Sequence, residues 1–82
     1  MANGILTGII DKNGVAVATG HKVIMRFYTE NEQVVNGVVR VRGYRYRQRL
    51  FCVEDANHIR YPFELMKKPY SKYIVVDNLI QL

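Results

Sequence analysis

Over most of this chain, hydrophobic and polar positions follow one another at the two-residue period of β-strands, interrupted at short intervals by turn residues. The clearest run is residues 22–28, where Val23, Met25 and Phe27 fall on one face and Lys22, Ile24, Arg26 and Tyr28 on the other. Upstream, the apolar run of residues 5–10 leads into Asp11-Lys12-Asn13-Gly14 and on to Val15–Ala18. Asn-Gly between two apolar runs predicts a hairpin, because both central residues of a type I′ turn need positive φ. Thr19-Gly20 breaks the chain again, and the polar residues 29–33 form a loop. Val34 to Val41 is the next strand, and Gly37 within it predicts a bulge or a sharp bend.

Gly43 is expected to turn the chain back. A two-residue loop at Gly43-Tyr44 sets Val41 opposite Tyr46, Arg42 opposite Arg45 and Arg40 opposite Arg47. A loop at Arg42-Gly43 sets Arg40 opposite Arg45 and Val41 opposite Tyr44. Either register gathers tyrosines with valines on one face and arginines on the other, whereas a three-residue loop splits the arginines between faces. Arginines directly opposite each other destabilise a ladder by a few tenths to about 1 kcal/mol, a cost that an anion relieves.

The returning strand ends near Glu54-Asp55-Ala56-Asn57. Residues 59–63 form a short strand that Pro62 ends or confines to an edge. Glu64 to Lys72 holds the one plausible helical turn, kept short by Pro69, and Tyr73 to Ile80 closes the chain as a last strand. Five or six short antiparallel strands at this spacing imply an all-β protein: one small, strongly bent β-barrel over residues 1–82.

Charge singles out one region. Residues 40–49 hold Arg40, Arg42, Arg45, Arg47 and Arg49 and no acid, while the seven cations elsewhere are matched in number by seven acids. The formal net charge of +5 is therefore a local patch, suited to an anionic partner or to a solvated, aggregation-blocking edge. Its cations are all arginine, whose planar fork suits phosphate or carboxylate. Tyr44 and Tyr46 stand in the same stretch, but the two-residue-loop registers send them towards the core and away from a stacking role.

Little else suggests chemistry. Cys52 is the only cysteine, so no intramolecular disulfide forms, and its place between Phe51 and Val53 marks it as a buried core thiol. His21 after Gly20 and His58 in a polar turn are expected to be loop residues, and no paired ligand spacing suggests a metal. Glu54 and Asp55 are adjacent, so a strand points them to opposite faces rather than pairing them for catalysis. With neither a nucleophile elbow nor a phosphate loop, the expectation is no enzyme activity, no catalytic residue, no metal and no cofactor. No apolar run reaches the roughly 18–20 residues of a membrane span. The start Met-Ala-Asn-Gly does not resemble a secretory signal, so the expected setting is the cytoplasm, without membrane contact.

The turn motifs also carry a family resemblance. Thr7-Gly8-Ile9, Asp11-Lys12-Asn13-Gly14 and Gly20-His21-Lys22-Val23 resemble the opening of the YopX-like family of small phage and prophage proteins, with His21 where that family usually has Asp. Pro62-Phe63-Glu64-Leu65 resembles the segment which that family places before its last strand. The closing Tyr73-Ile74-Val75-Val76-Asp77-Asn78-Leu79-Ile80 is similar to its apolar C-terminal strand, with Asp77 in place of Gly. The resemblance implies a Src-homology-3-like barrel and a bacterial host cytoplasm, and assigns no activity. The arginine stretch lies between the resembling segments.

Three roles remain open. The five arginines form a nucleic-acid-binding face with mainly phosphate contacts, or dock on an acidic host or phage protein. Alternatively the chain pairs with itself as a homodimer through Ile24, Phe51 and Val53, on the nominally polar faces of their strands.

Overall fold

The structure, a computed structural model, describes residues 4–77. Its seven strands are β1 (Leu6–Ile10), β2 (Ala16–Ala18), β3 (Lys22–Tyr28), β4 (Glu32–Arg45), β5 (Gln48–Glu54), β6 (Arg60–Pro62) and β7 (Ile74–Val76). They form a two-stranded sheet of β1 and β2 and a five-stranded antiparallel sheet in the order β6-β5-β4-β3-β7. The described residues are thus mostly β, with seven strands in two sheets against the five or six expected. The helical turn expected at Glu64–Lys72 is replaced by two short 3-10 turns, Phe63–Leu65 and Tyr70–Lys72, with Pro69 just ahead of the second.

The alternation of β3 is realised: Val23, Met25 and Phe27 are buried. Val23 pairs with Val76 and Met25 with Ile74, so the inner face of β7 completes the same apolar layer. Val39 and Val53 join it from β4 and β5, Val17 from the small sheet, and Phe63 and Met66 from the connection to β7. Removing side chains of this size from water contributes about 1.5–3 kcal/mol each. The expected continuation of the last strand through residues 78–80 lies outside the described residues.

Two long-range ties join the sheets. Asp11, 3% exposed, accepts the N–H groups of Asn13 (2.9 Å) and Val15 (2.8 Å) on Oδ1 and that of Val76 (2.9 Å) on Oδ2. The β1–β2 connection is therefore built around this carboxylate rather than as a type I′ turn, and of Asn13 and Gly14 only Gly14 has positive φ (83°). At the β2–β3 corner, Gly20 N–H donates to the Val39 carbonyl (3.0 Å), and Val39 N–H donates to that of His21 (3.1 Å).

Strand β4 serves two neighbours. Residues 32–38 pair with β3 and residues 38–45 with β5. At the handover stands Gly37, where a Cβ would overlap the Glu54 carbonyl. The register against β3 runs through it unshifted, so Gly37 is no bulge there; what calls for glycine is the close approach of the Glu54 backbone. Pro62 lies on edge strand β6, as expected. The apolar residues proposed for self-association are mostly covered. Val53 is fully buried, Phe51 packs on the core with its ring 6.1 Å from that of Phe63, and Ile24 is half-buried opposite Val75.

Candidate nucleic-acid interface

The arginine stretch forms a hairpin, but it turns at Tyr46-Arg47 and not at Gly43. Tyr46 (φ 50°) and Arg47 (φ 68°) are both left-handed, and Arg45 pairs with Gln48 across a two-residue loop. Positive φ at both central positions is the geometry of a type I′ turn, which usually takes Asn, Asp or Gly. Two bulky side chains in that conformation store strain of order 1–3 kcal/mol each, a feature that clusters at functional sites.

A second irregularity changes the faces. Val41 pairs with Phe51 but Gly43 pairs with Leu50, leaving Arg42 as an extra residue in β4. Beyond this bulge Tyr44 opposes Arg49. By the pleat, that pair continues the face of Val41 and Phe51, whereas Arg45 and Gln48 continue the face of Arg40 and Cys52. The expected arginine-only face and its arginine–arginine pairs are therefore absent from the described hairpin, and so is the ladder repulsion they implied. Each paired arginine of the hairpin strands faces a neutral residue: Arg40 faces Cys52, Arg45 faces Gln48 and Arg49 faces Tyr44.

The tyrosines change more. Both two-residue-loop registers sent them to the core, yet Tyr44 is 69% and Tyr46 88% exposed. Tyr44 does lie on the valine face, but the hairpin outruns the core, and no layer covers it there. The Arg45 guanidinium lies 5.9 Å from the centre of the Tyr46 ring. The tip thus presents Tyr44, Arg45, Tyr46, Arg47 and Arg49 to solvent, with no acid between residues 40 and 49.

The five arginines are not equivalent. Arg45, Arg47 and Arg49 surround the turn, and none forms an ion pair among the described residues. Arg42 is already satisfied: its guanidinium meets Glu64 Oε2 at 2.8 Å. Arg40 stands four ladder steps back from Arg45, about 13 Å at the usual strand rise. It borders a separate hollow of about 360 Å³ shared with Lys22, Glu54 and His58.

A larger groove, about 570 Å³, opens beside the hairpin between β1, β5 and the two 3-10 turns. Arg49 reaches it from the hairpin, and Lys68, Tyr70 and Ser71 reach it from the other side. Sequence reasoning missed these three, because charge counting matched Lys68 with an acid elsewhere in the chain. Their proximity to Arg49 is tertiary and leaves no local signal.

The remaining candidates are structural. Cys52 is fully buried, and burial pushes its thiol pKa up, against the opposing pull of Arg60. His21 Nδ1 accepts the Ala18 N–H at 3.1 Å within the β2–β3 corner. His58, itself left-handed (φ 65°), lies 3.0 Å from Glu54 Oε2 through Nδ1. That bond holds the Glu54 carboxyl below its usual range, aided by Arg60 against some desolvation. Asp55 instead caps the β5–β6 turn, accepting N–H groups from Asn57 (2.9 Å) and Ile59 (3.0 Å). Among the described residues, His, Cys, Asp and Glu form no group of three or more that could hold a metal, and no helix is long and apolar enough to cross a membrane. Comparison with protein-family models, curated proteins and solved structures finds no match in any of the three.

Proposed function

We propose that this chain is a small non-enzymatic module of phage or prophage type that binds nucleic acid through the tip of its β4–β5 hairpin. The observation that carries this reading is the exposure of Tyr44 and Tyr46 among three arginines that have no ion-pair partner among the described residues. Arginine supplies phosphate contacts, and exposed tyrosine rings supply stacking surface that accepts any base. Phosphate contacts position a strand without reading its sequence, so binding on this reading has weak sequence preference. The scaffold is read as a Src-homology-3-like barrel in a bacterial host cytoplasm. What supports the barrel reading is the Asp11–Val76 tie and the burial of Val17 in the common apolar layer, which join the small sheet to the large one.

The test is fluorescence anisotropy with labelled single-stranded DNA, duplex DNA and RNA. The double substitution Arg45→Glu/Arg47→Glu, at two exposed positions, is expected to abolish binding while leaving the thermal transition in place. Undiminished binding by that variant would sink the proposal. Absence of binding by the unsubstituted chain at low salt would transfer the tip to the alternative role, a dock for an acidic host or phage protein.

A further inference from the structure

We propose that the 570 Å³ groove beside the hairpin seats a nucleotide of a single-stranded nucleic acid whose neighbouring residues are held at the hairpin tip. This rests on the nucleic-acid reading above and adds to it a second contact surface and a preference for unpaired strands.

The groove has two chemistries. Its inner lining is apolar: half-buried Ile9 and Phe51, and Phe63, which is 7% exposed, with the two rings 6.1 Å apart and tilted by 39°. Its rim is cationic and hydroxylic, with Arg49 and Lys68 beside Tyr70 and Ser71. The one carboxylate that lines it, Glu64, is occupied by Arg42 at 2.8 Å. Charge complementarity therefore calls for an anion at the rim, and the apolar lining, in which Phe51 is the more accessible ring, suits a flat apolar face attached to that anion. A nucleotide joins the two in one unit. An acidic peptide would satisfy the rim and leave the apolar lining uncovered. A base-paired duplex keeps its bases stacked inside and offers that lining nothing.

Arg49 connects the groove to the tip. It lines the groove and also pairs across the ladder with Tyr44, the exposed aromatic residue of the hairpin. A strand crossing from tip to groove thus meets stacking surface, cation and apolar lining without a break. Gly8 also lines the groove, and the space where its Cβ would stand is open, so the mouth on the β1 side is wide.

The experiment compares a single-stranded thymidine hexanucleotide with a DNA duplex by two-dimensional amide spectra and by anisotropy. The expected result is that the single strand shifts the resonances of Lys68, Tyr70 and Ser71 together with those of Tyr44 to Arg49, while the duplex shifts only the hairpin. Lys68→Glu, at an exposed position, is expected to weaken single-strand binding about tenfold and duplex binding no more than about twofold, since only the single strand reaches that phosphate contact. Ser71→Trp, which fills the groove, is expected to act likewise. Single-strand shifts confined to the hairpin, with Lys68→Glu equally harmless to both ligands, would overturn the groove and leave the tip interface standing. Failure of both oligonucleotides to bind the unsubstituted chain would overturn both.

Discussion

At the scale of single residues, Asp11 does the most to hold the molecule together. Its two oxygens take three backbone N–H groups, two from its own turn and one from β7, across 65 residues of chain. Burial pushes the carboxyl pKa up, but the bonds from Val76, Val15 and Asn13 outweigh it and hold the group below its ordinary 3.8, with His21 adding to the same side. A folded-state pKa below the unfolded one contributes stability that is present above the ordinary value and lost as pH falls through the folded value. Asp11→Asn keeps the acceptor for the turn but sets an amide NH2 against the Val76 N–H. Its expected cost at neutral pH is about 1–3 kcal/mol, the range for a buried donor left unsatisfied. Urea unfolding of both proteins checks this: the gap between them should narrow as pH falls below 3.8, and a gap independent of pH would mean that the carboxylate charge is not what binds the sheets.

At the scale of elements, the hairpin is where sequence and structure part. Glycine is the usual punctuation of a strand, so Gly43 was the natural place to turn. Nothing lies within 4 Å of a Cβ built there, and the chain passes straight on to reverse at two bulky residues. Local propensity argues against a Tyr-Arg type I′ turn, and the extra residue at Arg42 shifts the register by one, so no counting of loop lengths could recover the pairing. Strand β3 was legible, because one face is covered throughout its length and alternation reports burial directly. Tyr44 was not, because alternation gives the face but not whether anything lies above it. Gly37 signalled an irregularity without its cause, since close approach of the Glu54 carbonyl is a tertiary fact. The strain in the turn gives a direct expectation. Tyr46→Asn/Arg47→Gly supplies residues that favour left-handed φ and should stabilise the fold by about 1–2 kcal/mol in thermal or urea unfolding. It also removes a ring and a charge from the tip and should weaken binding to single-stranded DNA. A variant both more stable and equally good at binding would show that the strained turn serves no contact.

For the whole molecule, the account is one of divided labour. The apolar layer built by β3, β7 and the Asp11 tie sets the scaffold, and the arginine-bearing half of β4 with the start of β5 projects beyond it. Of the five arginines behind the net charge of +5, Arg45, Arg47 and Arg49 are carried at the tip, while Arg42 is paired with Glu64 and Arg40 lies back along β4. The three exposed arginines at the tip set the scale of the salt effect. At about −0.7 per phosphate on a single strand, they give a slope of log K against log salt near −2, approaching −3 with Lys68 engaged. The most direct measurement is therefore the affinity for a labelled single-stranded oligonucleotide at two salt concentrations fourfold apart. Weakening of roughly 15-fold or more is expected from that slope. Affinity indifferent to salt, or no binding at the lower concentration, would contradict a nucleic-acid role for the hairpin.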